Sequence, residues 1–237
     1  MDGDIHDGHL IRGERVTMPV RVRDAAACSA TFAVRAASAR SVLAYAGVDV
    51  AEPWRGAALC SLVFVRYTDG DLGPYHEFGV AFLIRAPVGG GLGAFVHWLP
   101  VNQPFTLEAG RSIWGFPKEL ADIRLEHAGR ARRCVVRHEG RLAVDLLVRP
   151  GVPTPGRAAA ASVDAYTCLD GVLRRTPWSL RARRVRTRPG GAVLRLGDHP
   201  VADELRALGL PRTALAGSTI GRLEMTFAGA APVAAVR

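Results

Sequence analysis

The sequence predicts a mainly β fold, in which antiparallel strands form a sheet or a barrel and helices are few. Short apolar runs separated by Gly, Pro and Asp dominate the chain, a pattern typical of strands joined by turns. Only two segments have the apolar spacing of a helix. The close succession of the apolar runs favours antiparallel neighbours, because tight turns can join antiparallel strands and cannot join parallel ones.

The predicted helices cover residues 36–45 and 201–208. The second is preceded by Pro200 and followed by Gly209, which are helix start and stop signals. Residues 150–156 contain three prolines and two glycines, so we expect a loop there within one sheet system. The predicted strands cover residues 58–67, 78–86, 94–99, 123–127, 133–138, 142–148, 180–187 and 222–227.

The length and composition indicate one globular domain. The chain has 237 residues, of which 49% are hydrophobic and 22% charged, as expected of a soluble protein. We predict a single domain over residues 1–237, with residues 1–25 as a loosely ordered N-terminal extension. The sequence has neither an apolar run long enough to span a membrane nor the pattern of a signal peptide, so the predicted location is the cytoplasm.

The cysteines do not indicate a metal site, and the positive charge does not indicate binding to nucleic acid or to a membrane. The four cysteines are far apart and form no Cys-x-x-Cys pair, so we expect reduced, packed side chains and no metal site. The net charge of +9 is concentrated in the arginines of residues 174–188. Their partial alternation suits a solvated strand face, and neither interleaved aromatic residues nor a recognised motif accompanies them. Anionic substrates or subunit contacts are therefore favoured over nucleic acid.

A glycine-rich segment at residues 89–93 is not predicted to bind phosphate. It precedes a predicted strand, so no helix N-terminus follows it to hold an anion. A hairpin turn is the favoured interpretation.

The strongest chemical signal is a lysine. The chain contains thirty arginines and one lysine, Lys118, although a GC-rich genome also depletes lysine codons. Trp114, Phe116 and Pro117 give it an apolar setting, which disfavours the charged ammonium form. A neutral amine attacks a carbonyl carbon, whereas arginine stays protonated. We therefore predict a Schiff-base nucleophile at Lys118.

Imine chemistry also needs a group that moves protons. Glu77 begins an otherwise apolar strand, and Tyr75 lies two residues earlier on the same face if the strand extends that far. A carboxylate there is a candidate acid and base if it faces a pocket. A solvent-exposed glutamate at a strand start is the alternative.

Three segments together resemble the acetoacetate decarboxylase superfamily in order and spacing. They are Asp-Gly-Asp-Leu-Gly-Pro-Tyr-His-Glu at 69–77, Gly-Arg-Ser-Ile-Trp-Gly-Phe-Pro-Lys-Glu-Leu at 110–120 and Leu-Gly-Asp-His-Pro at 196–200. The resemblance runs from about residue 30 to 227. It implies that Lys118 forms the Schiff base, that Glu77 lies in the active site and that no other cofactor is used. It also implies an antiparallel, cone-like β-barrel with a few peripheral helices, and a homo-oligomer.

The sequence departs from the decarboxylases of this superfamily at three places. Glu119 stands where they have a second lysine, and about Leu62 where they have a second carboxylate. Arg23 is the nearest candidate for their N-terminal arginine. Members without the second lysine include aldolase-dehydratases that use pyruvate. We therefore expect a lyase of small keto acids that performs aldol condensation and dehydration or β-keto acid decarboxylation. A non-covalent binding or cyclase scaffold is the alternative.

Seven residues are candidates for contact with the keto acid or aldehyde substrate. Arg111 is a candidate partner for a substrate carboxylate, with a structural ion pair as the alternative. His97 follows the glycine turn and lies on a strand whose side chains are predicted to face inward. The full set comprises Arg23, Tyr75, His76, His97, Arg111, Trp114 and Phe116.

Overall fold

The computed structural model describes residues 8–154 and 159–233. Three α-helices occur in these ranges: α1 (Ala36–Val42), α2 (Pro104–Ala109) and α3 (Pro200–Ala207). The strands are β1 (Gly8–Ile11), β2 (Glu14–Thr17), β3 (Val20–Arg35), β4 (Ala57–Gly70), β5 (Tyr75–Arg85), β6 (Leu92–Val101), β7 (Lys118–Leu120), β8 (Asp122–Ala128), β9 (Ala131–His138), β10 (Arg141–Val148), β11 (Val152–Pro153), β12 (Ala159–Leu169), β13 (Val172–Pro189), β14 (Ala192–Leu196), β15 (Ala216–Phe227) and β16 (Ala231–Pro232).

Seven of these strands close into a barrel. The order around it is β13, β12, β6, β5, β4, β3 and β15, and β15 pairs with β13 to complete the circle. Every neighbouring pair is antiparallel except β6 and β12, which are parallel. Closure gives every strand of the circle a neighbour on each side, and the contact between β6 and β12 is limited to two residue pairs, Ala94 with Ala165 and Phe95 with Tyr166. The predicted mainly β, barrel-type fold is confirmed, with one parallel pair added.

A four-stranded antiparallel sheet with the order β14, β10, β9, β8 covers one side of the barrel. The main core lies between this sheet and the outer face of the barrel, where Phe32, Phe82 and Leu146 are buried. A second apolar cluster fills part of the barrel interior. The strands of the barrel thus carry apolar side chains on both faces, and the inner face is left to form a cavity.

All eight predicted strands are present, but two barrel strands were missed. β3 contains Ala25-Ala26-Ala27 and β12 begins with Ala159-Ala160-Ala161. Alanine has a low preference for strands, so sequence alone gives little signal there. Both segments are strands because each pairs with a neighbour on both sides in the closed barrel.

The predicted N-terminal extension is wrong for residues 8–25. β1 and β2 pair as a hairpin, and β3, which begins at Val20, belongs to the barrel. Ile11, Val16 and Val20 are buried as part of the interior cluster. This burial explains why the segment is ordered. The remaining part of that prediction, residues 1–7, lies outside the described residues.

The other predicted elements lie where the sequence places them, but their bounds or conformations differ from the prediction. The helix predicted over residues 36–45 is α1 followed by a short 3-10 turn at Ala44–Ala46. The loop predicted over residues 150–156 contains the short strand β11, and its last two residues lie outside the described ranges. No helix within the described ranges is long and apolar enough to cross a membrane.

Candidate active site

The barrel interior holds a cavity of about 300 Å³. Side chains alternate along each strand, so Val63 and Val65 of β4 line the cavity while Phe64 between them is buried in the core outside the barrel. Valine, leucine and aromatic side chains form most of the wall. Lys118 and Glu77, two side chains of opposite charge, are buried in it.

Lys118 is the first residue of β7, which runs parallel to β6 and places Lys118 opposite Leu99. The side chain is buried, with 2% exposed. Its Nζ lies 2.9 Å from Oε2 of Glu77 and donates a hydrogen bond of 3.1 Å to Oγ1 of Thr106. An amine this deeply buried is held in place by contacts to two polar groups, and water has little access to it.

Glu77 connects the lysine to a pair of tyrosines. The Tyr67 hydroxyl donates a hydrogen bond of 2.9 Å to Oε1 of Glu77, so its two carboxylate oxygens contact two different partners. The ring of Tyr75 stacks on that of Tyr67 at 4.2 Å, and Lys118 Nζ lies 5.1 Å from the Tyr75 ring centre. Burial, followed by the nearby Glu77 charge, raises the pKa of both tyrosines well above the usual range. Both hydroxyls therefore stay protonated and available as donors.

Glu119 points away from the amine. Its Oε2 accepts a hydrogen bond of 2.7 Å from Nε1 of Trp98 and lies 3.6 Å from Nε2 of His138. Successive side chains of β7 face opposite sides, so Lys118 enters the barrel while Glu119 faces the outer sheet. Glu119 therefore does not pair with Lys118.

Leu62 stands at about the position where the decarboxylases have a second carboxylate, and its side chain does not face the cavity. Leu62 is buried in the core between the barrel and the outer sheet, while Val63 lines the cavity. Glu77 is therefore the one carboxylate that the described residues place in the cavity wall.

Gly110 makes room for the lysine side chain. A Cβ atom at this position would lie 2.5 Å from Cδ and 2.7 Å from Cε of Lys118. Gly110 follows α2 directly and begins a π-helical turn, Gly110–Trp114, that leads back toward β7. The glycine is needed because it lets the lysine side chain approach closely. Its backbone conformation does not require glycine, since a φ of −62° suits any residue.

A Gly110→Ala variant is expected to lose activity by about a hundredfold while remaining folded. The added methyl group displaces the flexible lysine stem rather than backbone, and a shift of about 1 Å at a reacting atom costs on the order of 100-fold in rate. Turnover and thermal unfolding are the two measurements. Gly229→Ala is the control, because a methyl group added there would have no atom within 4 Å of it. Wild-type turnover in Gly110→Ala would contradict a need for close approach at Gly110.

An aromatic wall extends from the lysine along the cavity, and we define it as Phe116, Trp114, Trp178 and Phe227. Phe116 lies 6.0 Å from Lys118 Nζ and stacks on Trp114 at 5.4 Å. Trp178 lies edge-on to Phe116 at 5.9 Å and to Phe227 at 5.2 Å. All four side chains line the cavity.

The structure brings five of the predicted site residues to the cavity: Lys118, Glu77, Tyr75, Trp114 and Phe116. The four other predicted substrate contacts, two histidines and two arginines, lie outside the cavity wall.

The two histidines face outward. His76 lies between the inward-facing Tyr75 and Glu77, so its ring points to the outer sheet, where Nδ1 is 3.3 Å from the carbonyl oxygen of Ile123. His97 sits at a register irregularity between β5 and β6, which leaves it outside together with Trp98. Its Nε2 is 2.7 Å from Glu204 and its Nδ1 is 3.1 Å from the Tyr45 hydroxyl. Neither histidine belongs to the cavity wall.

The two arginines are also outside the cavity wall. Arg23 is half-exposed and forms ion pairs with Asp69 at 2.8 Å and Asp71 at 2.5 Å. Arg111 is exposed and donates a hydrogen bond of 3.2 Å to the backbone carbonyl of Lys118. Their guanidinium groups thus serve structural contacts, and substrate contact by either is not supported.

Sequence reasoning missed Tyr67, Thr106 and Gly110. Tyr67 had a usable signal: it mirrors Tyr75 across the turn that joins β4 and β5, and the two residues are paired in register. Thr106 lies in α2, a short helix that begins with Pro104 and is capped by Gln103. That helix was not predicted, so nothing pointed to its hydroxyl.

The cavity has no arrangement suited to a metal ion. Within residues 8–154 and 159–233, no group of three or more His, Cys, Asp or Glu side chains is placed to hold one. The four cysteines are buried and unpaired, and burial raises the pKa of the Cys28 and Cys60 thiols to about 12. They pack as apolar side chains, as the sequence predicted.

Known proteins provide a comparison for this site. The chain is 31% identical over 85 residues to acetoacetate decarboxylase 3 of Mesorhizobium japonicum, a match that covers 35% of this chain and 30% of that protein. The acetoacetate decarboxylase of Legionella pneumophila superimposes with a TM-score of 0.69 at 17% identity, covering 91% of this chain and 87% of that one. The enduracididine biosynthesis enzyme MppR, in a complex with pyruvate, gives 0.70 at 18% identity and covers 92% and 91%.

These structural likenesses are at low identity and show a shared fold. The sequence profile of the acetoacetate decarboxylase (ADC) family matches residues 12–232, almost the whole length of the barrel and its outer sheet. The resemblance found in the three sequence segments is thereby confirmed, and the chain belongs to the acetoacetate decarboxylase family.

Proposed function

We propose that the protein is a lyase that binds the carbonyl carbon of a small keto acid covalently through Lys118. One observation carries the proposal: the only lysine of the chain has its amine inside the barrel cavity, 2.9 Å from a buried carboxylate. A lysine at this depth is costly unless it is paired, and such groups concentrate at functional sites. Membership of the family and the apolar cavity support the same conclusion.

The contacts of Lys118 suggest how the reaction begins. Transfer of a proton from Nζ to Oε2 of Glu77 gives a neutral amine, which attacks the carbonyl carbon. Glu77 then returns a proton to the hydroxyl that leaves as water, and the product is an iminium ion on Lys118. Tyr67 donates to the other oxygen of Glu77 and holds the carboxylate in position for both transfers.

The iminium ion is an electron sink, and two outcomes follow from it. A β-keto acid loses carbon dioxide, whereas pyruvate loses a proton to form an enamine that adds to an aldehyde and then eliminates water. MppR supports the second outcome by likeness, since it has been observed with pyruvate and with the condensation product of pyruvate and imidazole 4-carboxaldehyde.

The charge of the cavity favours decarboxylation. Lys118 is the only cationic side chain buried in the described wall, and Arg21, which also borders the cavity, is exposed. Loss of carbon dioxide converts an iminium and a carboxylate into a neutral enamine, which an apolar site stabilises relative to the charged pair. Condensation with pyruvate keeps its carboxylate throughout, and among the described residues this cavity offers no second buried cation to pair with it.

Reductive trapping tests the proposal. The protein is incubated with acetoacetate or pyruvate and sodium borohydride, and the intact mass and peptide masses are measured. We expect an isopropyl adduct on Lys118 after acetoacetate, which requires both imine formation and loss of carbon dioxide. A carboxyethyl adduct after pyruvate, with no isopropyl adduct after acetoacetate, would favour condensation instead.

Because the chain has a single lysine, the trapping result is unusually easy to assign. The N-terminal amine is the one other site of reaction, and peptide masses separate the two. Absence of any adduct at Lys118 would contradict the Schiff-base proposal and favour a non-covalent binding or cyclase scaffold.

A further inference from the structure

We infer that the substrate carries an apolar chain or ring of about six carbon atoms on its reactive carbonyl, an inference that rests on the proposed function. The size of the cavity, the composition of its wall and the position of its polar groups each point to this class of β-keto acid.

The cavity is larger than a small keto acid requires. A cavity of about 150 Å³ accommodates benzene, and acetoacetate is comparable to benzene in size. The barrel cavity measures about 300 Å³, so roughly half of it would remain after acetoacetate had bound. A second group about the size of a ring or a pentyl chain fits that remainder.

The wall beyond the lysine is apolar. The aromatic wall begins with Phe116, 6.0 Å from Lys118 Nζ, and continues through Trp178 to Phe227. On the same strands, Leu180 of β13 is paired in register with Met225 of β15, and both line the cavity. A substrate held at Lys118 therefore has hydrocarbon surface available along β13 and β15, which favours an apolar substituent.

The polar groups of the wall are concentrated around the reacting atoms. Glu77, Tyr67 and Tyr75 lie around Lys118. The other polar side chains that border the cavity are Ser29, the exposed Arg21 and two indoles. Nε1 of Trp114 donates to the carbonyl oxygen of Ala228, and Nε1 of Trp178 is a single donor without a partner among the described residues. A sugar, a phosphate ester or a second carboxylate on the substrate would lose its hydration without adequate partners.

The reaction of such a substrate balances without a further reactant. The Lys118 amine attacks the β-carbonyl of 3-oxooctanoate, Glu77 returns a proton to the hydroxyl, and water leaves as the iminium ion forms. The bond between the α-carbon and the carboxylate then breaks, carbon dioxide leaves, and the electron pair forms the enamine. Protonation of the α-carbon and hydrolysis return the lysine and give 2-heptanone, for a net consumption of one proton.

A series of methyl ketones tests the apolar substituent without a carboxylate. Acetone, 2-pentanone, 2-heptanone and acetophenone are each trapped on Lys118 with borohydride, and the half-saturating concentration is measured from the adduct mass. Each buried methylene contributes about threefold to fourfold in affinity, so 2-heptanone should half-saturate at a concentration on the order of 100-fold below that of acetone. Equal half-saturating concentrations for acetone and 2-heptanone would overturn the inference.

A filling variant locates the substituent. Leu180→Phe places a larger side chain in the cavity wall, and we expect the preference for 2-heptanone over acetone to fall by about tenfold. Leu92→Phe is the matched control, because Leu92 is 62% exposed and outside the wall. If Leu180→Phe does not fold, Ile220→Phe fills the same cavity. An unchanged preference in the folded filling variant would overturn the placement of the substituent.

Thermal unfolding with each ketone separates failure of this inference from failure of the proposed function. A ligand that binds the folded state raises the unfolding temperature whether or not it reacts. Stabilisation that grows with chain length, without any adduct, would support the apolar ligand and overturn the Schiff base. Adducts that form equally with every ketone would support the Schiff base and overturn the apolar substituent.

Discussion

Replacement of Lys118 by arginine is expected to abolish adduct formation and to lower turnover at least about a thousandfold. Arginine keeps the positive charge next to Glu77 but remains protonated, so it cannot become a nucleophile. If the lysine served only as the charged partner of Glu77, Lys118→Arg would retain activity. The two roles of the side chain, charge and nucleophile, are thus separated by one substitution.

The larger guanidinium must fit between Gly110 and Thr106, so folding of the variant is verified by circular dichroism and thermal unfolding. The double variant Lys118→Met/Glu77→Gln provides a second test, because it removes both charges and leaves no buried charge unpaired. Turnover is measured with acetoacetate and 3-oxooctanoate, and adducts by mass spectrometry. Wild-type turnover in either folded variant would contradict a nucleophilic Lys118.

Arg85→Lys is the matched control for adduct formation. It introduces a second lysine on the outside of the barrel, where the Arg85 side chain is 66% exposed. An exposed amine is mostly protonated at neutral pH, and the exposed Asp49 carboxylate, 3.5 Å from the Arg85 side chain, favours that charged form. We expect adducts on Lys118 and none on the new lysine, which would show that capture depends on the buried site.

The fold was predictable from sequence where side chains alternate and was not where alanine dominates. β5 and β10 are rich in β-branched, leucine and aromatic residues, so both were found. β3 and β12 contain runs of three alanines, and their conformation is fixed by strand pairing around the closed barrel rather than by local preference. Closure is a property of the whole sheet, so no single segment of the sequence indicates it.

The candidate site was predictable to the extent that its residues lie in recognisable local patterns. Lys118 and Glu77 were identified from their segments, and the structure brings their side chains to 2.9 Å although they are 41 positions apart. His97 was misplaced because the sequence does not show which face of β6 is inside the barrel: Val96 lines the cavity, while Phe95 and His97 lie on the outer face. Thr106 was missed because its position depends on how α2 packs beside the lysine.

Glu77→Gln is expected to leave imine formation measurable while suppressing the proton transfers that follow it. The amide can still contact Tyr67 and Lys118, and it is nearly the same size as the carboxylate. It cannot take up and return a proton, so the loss for a general acid and base is about 100-fold to 10,000-fold. The Lys118 amine itself is unchanged in the variant, so it can still attack a carbonyl carbon.

Exchange of the methyl hydrogens of 2-heptanone with deuterium oxide measures the enamine step separately from imine formation. The exchange rate, followed by nuclear magnetic resonance, should fall at least about 100-fold in Glu77→Gln, while the borohydride adduct on Lys118 persists. Tyr67→Phe serves as the matched control: it removes only the hydrogen bond to Oε1 and leaves the carboxylate in contact with the amine, so a smaller loss is expected. If exchange in Glu77→Gln matched that of the wild type, the base would have to be another group. Because Glu77 is the only carboxylate in the described wall, that result would direct attention to the tyrosine hydroxyls or to water.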